Sequence, residues 1–142
     1  MVDVYEAVRS RQSVRGFLDR PVPSVVLERV LSTALQAPSG GNLQPWHIYV
    51  VSGATLDELK ARVGRRVAEG DEGDRPPVPP YPLPLPACHA QRLDDMGARR
   101  YGAVGVARGD RASRARVRAG NWDCWGATTA LFCYLDKSML PP

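Results

Sequence analysis

The sequence predicts an α+β fold, in which helices and strands follow one another in an irregular order. Apolar residues recur at helical spacing in an amphipathic segment that follows Pro23. Two short runs, His47–Val51 and Leu131–Leu135, are rich in the β-branched and aromatic residues that favour strands. The length of 142 residues suits one domain, and no repeat or linker divides it, so we expect a single domain over residues 1–142.

Helix start signals define the first two helices. Asp3 is the predicted N-cap of a short helix that runs to about Ser10. Ser24 is the predicted N-cap of a second helix, which Pro38 ends because proline cannot continue a helix. The apolar face of this second helix follows the i, i+3, i+4, i+7, i+8 pattern and consists of Leu27, Val30, Leu31, Ala34 and Leu35.

A third helix and a proline-rich segment follow the first strand. Thr55–Glu58 match a capping box, which predicts a helix that runs to about Val67. Seven prolines lie between Pro76 and Pro86, and they exclude both a helix and a central strand. We therefore expect a surface excursion at residues 75–87. The remaining predicted elements are helices over residues 91–101 and 110–122 and the strand Leu131–Leu135.

The net charge is +4, and arginine supplies almost all of the positive charge, because the chain has only two lysines. A dense arginine cluster consists of Arg99, Arg100, Arg108, Arg111, Arg114, Arg116 and Arg118. A nucleic-acid surface would combine such a cluster with several stacking aromatics, but only Tyr101 is interleaved, and Asp110 dilutes the charge. The pattern favours a solvated helix face or a rim that attracts an anionic cofactor. We expect no nucleic-acid partner.

Cysteine and histidine usage argues against a metal centre or a disulfide framework. The three cysteines, Cys88, Cys124 and Cys133, form no CxxC pair, and His47 and His89 have no ligand spacing to them. Reduced, half-buried thiols are therefore expected, with no metal. No apolar run approaches the roughly 20 residues of a membrane helix. The first residues lack the features of a signal peptide, so we expect a cytoplasmic protein with no membrane partner.

The first motif that could bind a ligand is Arg11-Gln12-Ser13-Val14-Arg15. In an extended segment alternate side chains share a face, so Arg11, Ser13 and Arg15 are expected to point the same way. Two guanidiniums and one hydroxyl suit a dianionic phosphate, because arginine can bind two phosphate oxygens with paired hydrogen bonds. Taken alone, the pattern is a weak signal, and exposed charges that bind no ligand are its ordinary interpretation.

The second motif is the segment from Ala37 to Trp46, with the sequence APSGGNLQPW. Its glycines allow the backbone to approach a flat ligand, and Ser39, Asn42 and Gln44 offer short polar groups for ring heteroatoms. The ordinary alternative is a polar turn between a helix and a strand, with Trp46 as a core anchor. The segment alone leaves both interpretations open.

The order of these features resembles the nitroreductase family. An R-x-S-x-R segment, a Pro-Val-Pro turn, one amphipathic helix and an A-P-S-G-x-N-x-Q-P-W segment lead into a strand. This likeness covers Val8 to Val51, and a looser one covers Asn121 to Asp136. The resemblance implies a nitroreductase-like fold, with a central antiparallel-type sheet flanked by helices. It also implies that the fold is incomplete at the C-terminus, because family members continue beyond the last predicted strand.

The resemblance also implies a function, since members of the family bind FMN and oxidise NADH or NADPH. The implied activity is electron transfer from NAD(P)H to nitroaromatic, quinone or similar acceptors by a ping-pong cycle. Arg11, Ser13 and Arg15 would hold the FMN phosphate and ribityl chain. The residues that would approach the flavin from the other subunit of a homodimer are Pro38, Ser39, Gly40 and Asn42. No catalytic acid or base is assigned, because the cofactor carries the chemistry.

Two alternatives stay open on the sequence. The helix, flavin-contacting loop and late basic residue that follow in family members are not part of residues 1–142. A non-catalytic remnant that keeps the dimer surface would explain this difference. A family relative with other flavin chemistry, such as dehalogenation or flavin breakdown, is the second alternative.

Overall fold

The computed structural model describes residues 3–71, 73 and 79–139, and this part of the chain is an α+β structure, as predicted. The described elements are α1 (Val4–Ser10), α2 (Ser24–Ala34), β1 (Trp46–Ser52), α3 (Gly53–Ala68), α4 (Ala87–Gly102), α5 (Arg111–Ala119) and β2 (Thr129–Leu135). They pack as two compact units. The first unit comprises the described residues up to Arg62 and from Asp123 onwards, and the second runs from Val63 to Trp122. A single domain over residues 1–142 remains a prediction.

Local capping determines where the first two helices begin. Asp3 caps α1 as predicted, because its Oδ1 atom accepts a hydrogen bond of 2.8 Å from the backbone N–H of Glu6. The prediction for Ser24 was wrong by one residue, since Pro23 occupies the cap position without a side-chain bond and Ser24 is already helical. The end of α2 also lies earlier than Pro38. Its last turn tightens after Ala34, where successive N–H groups bond to carbonyls three residues back.

The boundaries of the later helices also differ from those that the sequence predicts. The Thr55 capping box was wrong as a start signal, because α3 begins at Gly53, directly after β1. Likewise α4 begins at Ala87 rather than near Gln91, since Pro86 already has the fixed φ that suits a helix start. Asp110 caps α5 through a hydrogen bond of 2.9 Å from the Ser113 N–H, and the hydrogen bonds from Ser113 lower the pKa of Asp110. The helix ends at Ala119, three residues before the predicted end.

The proline-rich excursion predicted at residues 75–87 is only partly covered by the structure. Residues 75–78 lie outside the described residues. Residues 79–86 form neither helix nor strand, as their proline content predicts. Ala87, at the far end of the predicted excursion, already belongs to α4.

The two strands pair antiparallel, in a register that runs from Trp46 opposite Leu135 to Ser52 opposite Thr129. Both strands are slightly longer than the sequence predicts. Aromatic side chains stack on one face of the pair. The Tyr134 ring lies 4.9 Å from the His47 ring and 5.5 Å from the Tyr49 ring, measured between centroids. This register joins two segments that are far apart in the sequence.

Two side-chain hydrogen bonds fasten the segment that enters β2. The Lys60 Nζ atom on α3 donates to the carbonyl oxygen of Ala127 at 2.8 Å. The Thr128 hydroxyl donates to the carbonyl oxygen of Arg20 at 2.9 Å. Ala127 is buried, and so is Leu56 on α3, whose side chain is 1% exposed. The start of β2 is therefore tied to α3 and to the segment that precedes α2.

We predict that Leu56→Ala lowers the free energy of unfolding by about 2–5 kcal/mol, because truncation of a buried leucine leaves a cavity. Urea denaturation followed by far-UV circular dichroism measures the change. The matched control is Leu43→Ala, since Leu43 is 68% exposed. The control is expected to change the free energy by about 0.5 kcal/mol or less. Equal losses in the two variants would show that Leu56 is not a core residue.

Candidate functional site

The structure brings Arg11, Ser13 and Arg15 together in the extended segment between α1 and α2. The Arg11 Nη1 atom lies 3.5 Å from the Ser13 hydroxyl oxygen. The Arg15 Nη1 atom donates to the Ser13 backbone carbonyl at 3.4 Å. Both guanidiniums therefore converge on one serine. All three residues are exposed, so the cluster is open to a ligand from solvent.

These contacts leave most of the donors of the cluster available. A guanidinium carries five N–H donors, and these two bonds are long enough to be exchanged for better ones. An anion with several oxygens could be gripped by both arginines and by the Ser13 hydroxyl at the same time. The donor set fits a phosphate group.

Trp125 is a residue of this site that the sequence reasoning missed. The guanidinium carbon of Arg15 lies 5.6 Å from the centroid of the Trp125 ring, within the range of a cation–π contact. Cys124, Trp125 and Gly126 all have left-handed backbone angles, with φ of 50°, 55° and 76°. This backbone presents the indole to Arg15 although the two residues are far apart in the sequence. No local spacing signals such a contact.

The segment from Pro38 to Trp46 forms a tight turn with three left-handed residues. A short 3₁₀ turn spans Gly40–Asn42, and Gly41, Asn42 and Gln44 have φ of 58°, 55° and 47°. The Ser39 hydroxyl oxygen accepts from the backbone N–H of Gln44 at 2.9 Å. The Asn42 Oδ1 atom accepts from the Gln44 side chain at 3.1 Å. The polar side chains are therefore partly used to hold the turn.

The same bonds leave specific donors free for a ligand. Because the Ser39 oxygen and Asn42 Oδ1 act as acceptors, the Ser39 O–H and the Asn42 amide N–H groups remain as donors. These groups match the nitrogen and carbonyl acceptors along the edge of a flavin ring. Trp46 is half-buried at the first position of β1. It anchors the turn to the strand.

The group formed by Arg11, Ser13 and Arg15 and the turn after Pro38 lie toward opposite ends of the strand pair in the first unit. The turn leads directly into Trp46, which is opposite Leu135. Arg15 contacts Trp125, which precedes the other end of the ladder, where Thr129 is opposite Ser52. Six steps of extended strand separate these ends, a distance of about 20 Å. The hydrogen bonds of the two motifs are local, and none of those described joins one motif to the other.

Among the described residues, the histidine and cysteine side chains do not gather into a second site. His47 stacks on Tyr134 at the start of β1. Cys124 is half-buried as predicted, but Cys88 and Cys133 are exposed, so the prediction of half-buried thiols was wrong for those two. The described residues contain no group of three or more histidine, cysteine or acidic side chains that could hold a metal ion. Among them, no helix combines the length and the apolar character needed to cross a membrane.

Comparison with known proteins identifies the family. The model of the nitroreductase family matches residues 8–83, and the chain belongs to this family. It is 30% identical over 134 residues to a nitrobenzene nitroreductase of Ectopseudomonas oleovorans, an alignment that covers 94% of this chain and 59% of the relative. It is 32% identical over 140 residues to a 4-nitrobenzoate reductase of Pseudomonas putida, covering 98% and 60%.

Solved structures give the same result for the fold. The FMN and NADPH-dependent nitroreductase NfnB from sphigopyxis sp. strain HMH superposes with a TM-score of 0.90 at 38% identity, covering 99% of this chain and 63% of that chain. The FMN-dependent nitroreductase NfnB from Mycobacterium smegmatis superposes with a TM-score of 0.83 at 28% identity, covering 94% and 61%. The nitroreductase-like fold expected from the sequence is confirmed. The chain spans about 60% of the length of the curated relatives it matches.

We predict that Ser39→Ala loosens the turn, because the backbone N–H of Gln44 loses its acceptor. The expected loss is about 0.5–1.5 kcal/mol, the usual net contribution of one hydrogen bond. Amide hydrogen exchange at Gln44 measures the local effect, and urea denaturation measures the global one. The matched control is Ser32→Ala on α2, where the hydroxyl only donates to a carbonyl of its own helix. Unchanged protection of Gln44 in Ser39→Ala would contradict the described turn.

Proposed function

We propose that this chain binds FMN and serves an oxidoreductase that takes electrons from NADH or NADPH and reduces nitroaromatic, quinone or similar acceptors. The observation that carries the proposal is the convergence of the Arg11 and Arg15 guanidiniums on Ser13 in an exposed segment. Family membership supports it, as do solved relatives that are described as FMN and NADPH-dependent nitroreductases. The curated relatives are reductases of nitrobenzene and 4-nitrobenzoate.

In this proposal Arg11, Ser13 and Arg15 hold the phosphate and the ribityl chain of FMN. The two guanidiniums neutralise the phosphate dianion, and the serine hydroxyl adds a neutral donor. Trp125 limits the rotation of the Arg15 side chain, because its ring lies on the guanidinium. Less side-chain entropy is then lost when the phosphate binds. Trp125 is a positioning residue for Arg15 in this scheme.

The flavin ring is proposed to meet the turn of a second copy of the chain. The ring-contacting residues are Pro38, Ser39, Gly40 and Asn42. The free O–H of Ser39 and the amide N–H groups of Asn42 would donate to ring acceptors. The placement of the turn at the opposite end of the strand pair from Arg15 supports a site shared between two copies. A symmetric homodimer would contain two such sites.

The chemistry itself belongs to the cofactor. Bound FMN would accept electrons from the nicotinamide nucleotide and pass them to the acceptor in a ping-pong order. The residues of this chain bind and orient it, and the positive charge of Arg11 and Arg15 favours an anionic ligand nearby. We assign no catalytic acid or base to the chain.

A cytoplasmic location is part of the proposal. The three cysteines form no disulfide, and two of them, Cys88 and Cys133, are exposed. Exposed thiols persist in reducing compartments, whereas oxidising compartments convert them to disulfides or further products.

Reductive dehalogenation is the second candidate function. The chain is 44% identical over 70 residues to an iodotyrosine dehalogenase homologue of Caenorhabditis elegans, an alignment that covers 49% of this chain and 20% of that protein. The identity is higher than for the nitroreductases, but the aligned region is shorter. Assays that supply a nitroaromatic and an iodinated phenol side by side, with NADPH and FMN, distinguish the two activities.

We predict that the double variant Arg11→Ala/Arg15→Ala binds FMN at least tenfold more weakly than the unmodified chain. A hydrogen bond to a charged group contributes about 1.5–3 kcal/mol, and about 1.4 kcal/mol corresponds to tenfold in affinity. Quenching of flavin fluorescence during titration measures the dissociation constant.

The double variant Arg9→Ala/Arg29→Ala is the matched control for this titration, because it also removes two positive charges. Arg9 lies in the last turn of α1 and Arg29 lies on α2, and neither has a place in the proposed phosphate site. The control is expected to bind FMN within about twofold of the unmodified chain, since only solvent-screened charge outside that site is lost. Equal affinity in the double variant and the unmodified chain would contradict the phosphate assignment. An unmodified chain that does not quench FMN at all would contradict the flavin proposal itself.

A further inference from the structure

The second unit contains its own cavity, whose lining includes none of the residues proposed to bind FMN. Its volume is about 540 Å³, and it is lined by residues of α4, α5 and the loop between them, together with Tyr81 from the segment that precedes α4. Four arginines line the cavity: Arg100, Arg108, Arg114 and Arg118. Asp94 is the single acidic residue of the lining. The cavity walls therefore carry a clear excess of positive charge.

The structure divides the arginine cluster found in the sequence into two groups. Arg99, Arg111 and Arg116 do not line the cavity, in agreement with the expectation of a solvated helix face. The other four surround one concave space. Like charges so arranged repel each other, and a bound anion would relieve that repulsion.

Arg114 is held in position by two contacts with described residues. Its guanidinium carbon lies 4.3 Å from the centroid of the buried Tyr101 ring. Its Nη1 atom donates to the backbone carbonyl of Arg108 at 3.1 Å. Its Nε atom is buried and has no hydrogen-bond partner within the described part of the chain. A buried N–H without an acceptor is costly, and a ligand oxygen would satisfy it.

Asp94 accounts for only part of the positive charge. Its Oδ2 atom lies 3.2 Å from Nη2 of Arg108, and both side chains are well exposed. One monovalent carboxylate faces four guanidiniums in the lining. Neither Arg114 nor Arg118 takes part in the salt bridges of the described residues, and two positive charges match a ligand with two negative charges better than a ligand with one.

The rest of the lining is apolar or aromatic. It includes Tyr81, Leu93, Met96 and Val106. A volume of about 540 Å³ is far larger than an inorganic anion needs and lies in the range of pockets for organic ligands. The cavity therefore has a charged part and an apolar part.

We propose that this cavity binds an organic phosphate monoester, with the dianionic phosphate on Arg114 and Arg118 and the organic part against the apolar lining. This inference goes beyond the proposed flavin site and needs no bound FMN. The phosphate could belong to a phosphorylated nicotinamide nucleotide or to a separate phosphorylated metabolite. The chemistry of recognition is the same in both cases.

Isothermal titration calorimetry on the full chain tests the proposal with three probes: adenosine 2′-phosphate, phenyl phosphate and adenosine. Both phosphates are expected to bind at least tenfold more tightly than adenosine. Arg118→Gln and Arg114→Gln are each expected to weaken phosphate binding about tenfold, which corresponds to the loss of one charge-assisted contact. Arg118→Gln is the safer variant, because Arg118 is exposed and makes none of the structural contacts of Arg114.

Arg111→Gln and Arg116→Gln are the matched controls, since both remove the same charge from α5 outside the cavity. They are expected to leave phosphate binding within about twofold. Equal effects of all four variants would indicate diffuse electrostatic attraction and would overturn the proposal. Phosphates that bind no better than adenosine would overturn it as well.

A clear preference for adenosine 2′-phosphate over phenyl phosphate, with competition by NADPH but not NADH, identifies the nicotinamide nucleotide as the source of the phosphate. Equal binding of the two phosphates identifies a separate metabolite. FMN titration of the same variants reports on the flavin site independently.

Discussion

The antiparallel pairing of β1 with β2 is the constraint on which the rest of the first unit depends. It joins two segments that are about 80 residues apart in the sequence, with Trp46 opposite Leu135 at one end and Ser52 opposite Thr129 at the other. A slip of one residue would turn every side chain of one strand to the other face and separate the stacked rings of His47, Tyr134 and Tyr49. The bond from Lys60 to Ala127 fixes the entry to β2, and thereby the left-handed turn that carries Trp125.

This pairing places the two sequence motifs toward opposite ends of the ladder. The turn after Pro38 precedes one end of the ladder, whereas Trp125 and its partner Arg15 belong to the other end. The motifs have complementary chemistry, since one offers cationic donors for a phosphate and the other offers neutral donors for a ring. Two copies of the chain related by symmetry can supply both sets of donors to one ligand. The flavin site that we propose would lie at the interface between two copies, and its affinity for FMN would then depend on protein concentration.

Features that depend on neighbours in the sequence could be predicted, and features that depend on distant residues could not. The cap Asp3, both strands and the convergence of Arg11 and Arg15 on Ser13 follow from local spacing. The starts of α2 and α3 were misplaced because the residues before Ser24 and Thr55 adopt the required backbone first. The contact of Trp125 with Arg15 and the grouping of four arginines around one cavity have no local signal, since tertiary packing alone creates them.

The central claim is that each flavin site takes its phosphate-binding arginines from one copy and its turn from another. Mixing two damaged chains tests it directly: one carries Arg11→Ala/Arg15→Ala and the other carries Asn42→Ala. Each chain alone should bind FMN weakly. After the two are unfolded together and refolded, a shared site predicts that about a quarter of all sites regain the affinity of the unmodified chain, because every mixed dimer contains one undamaged site. No recovery in the mixture, while the refolded unmodified chain binds FMN normally, would contradict the claim and place both halves of the site in a single chain.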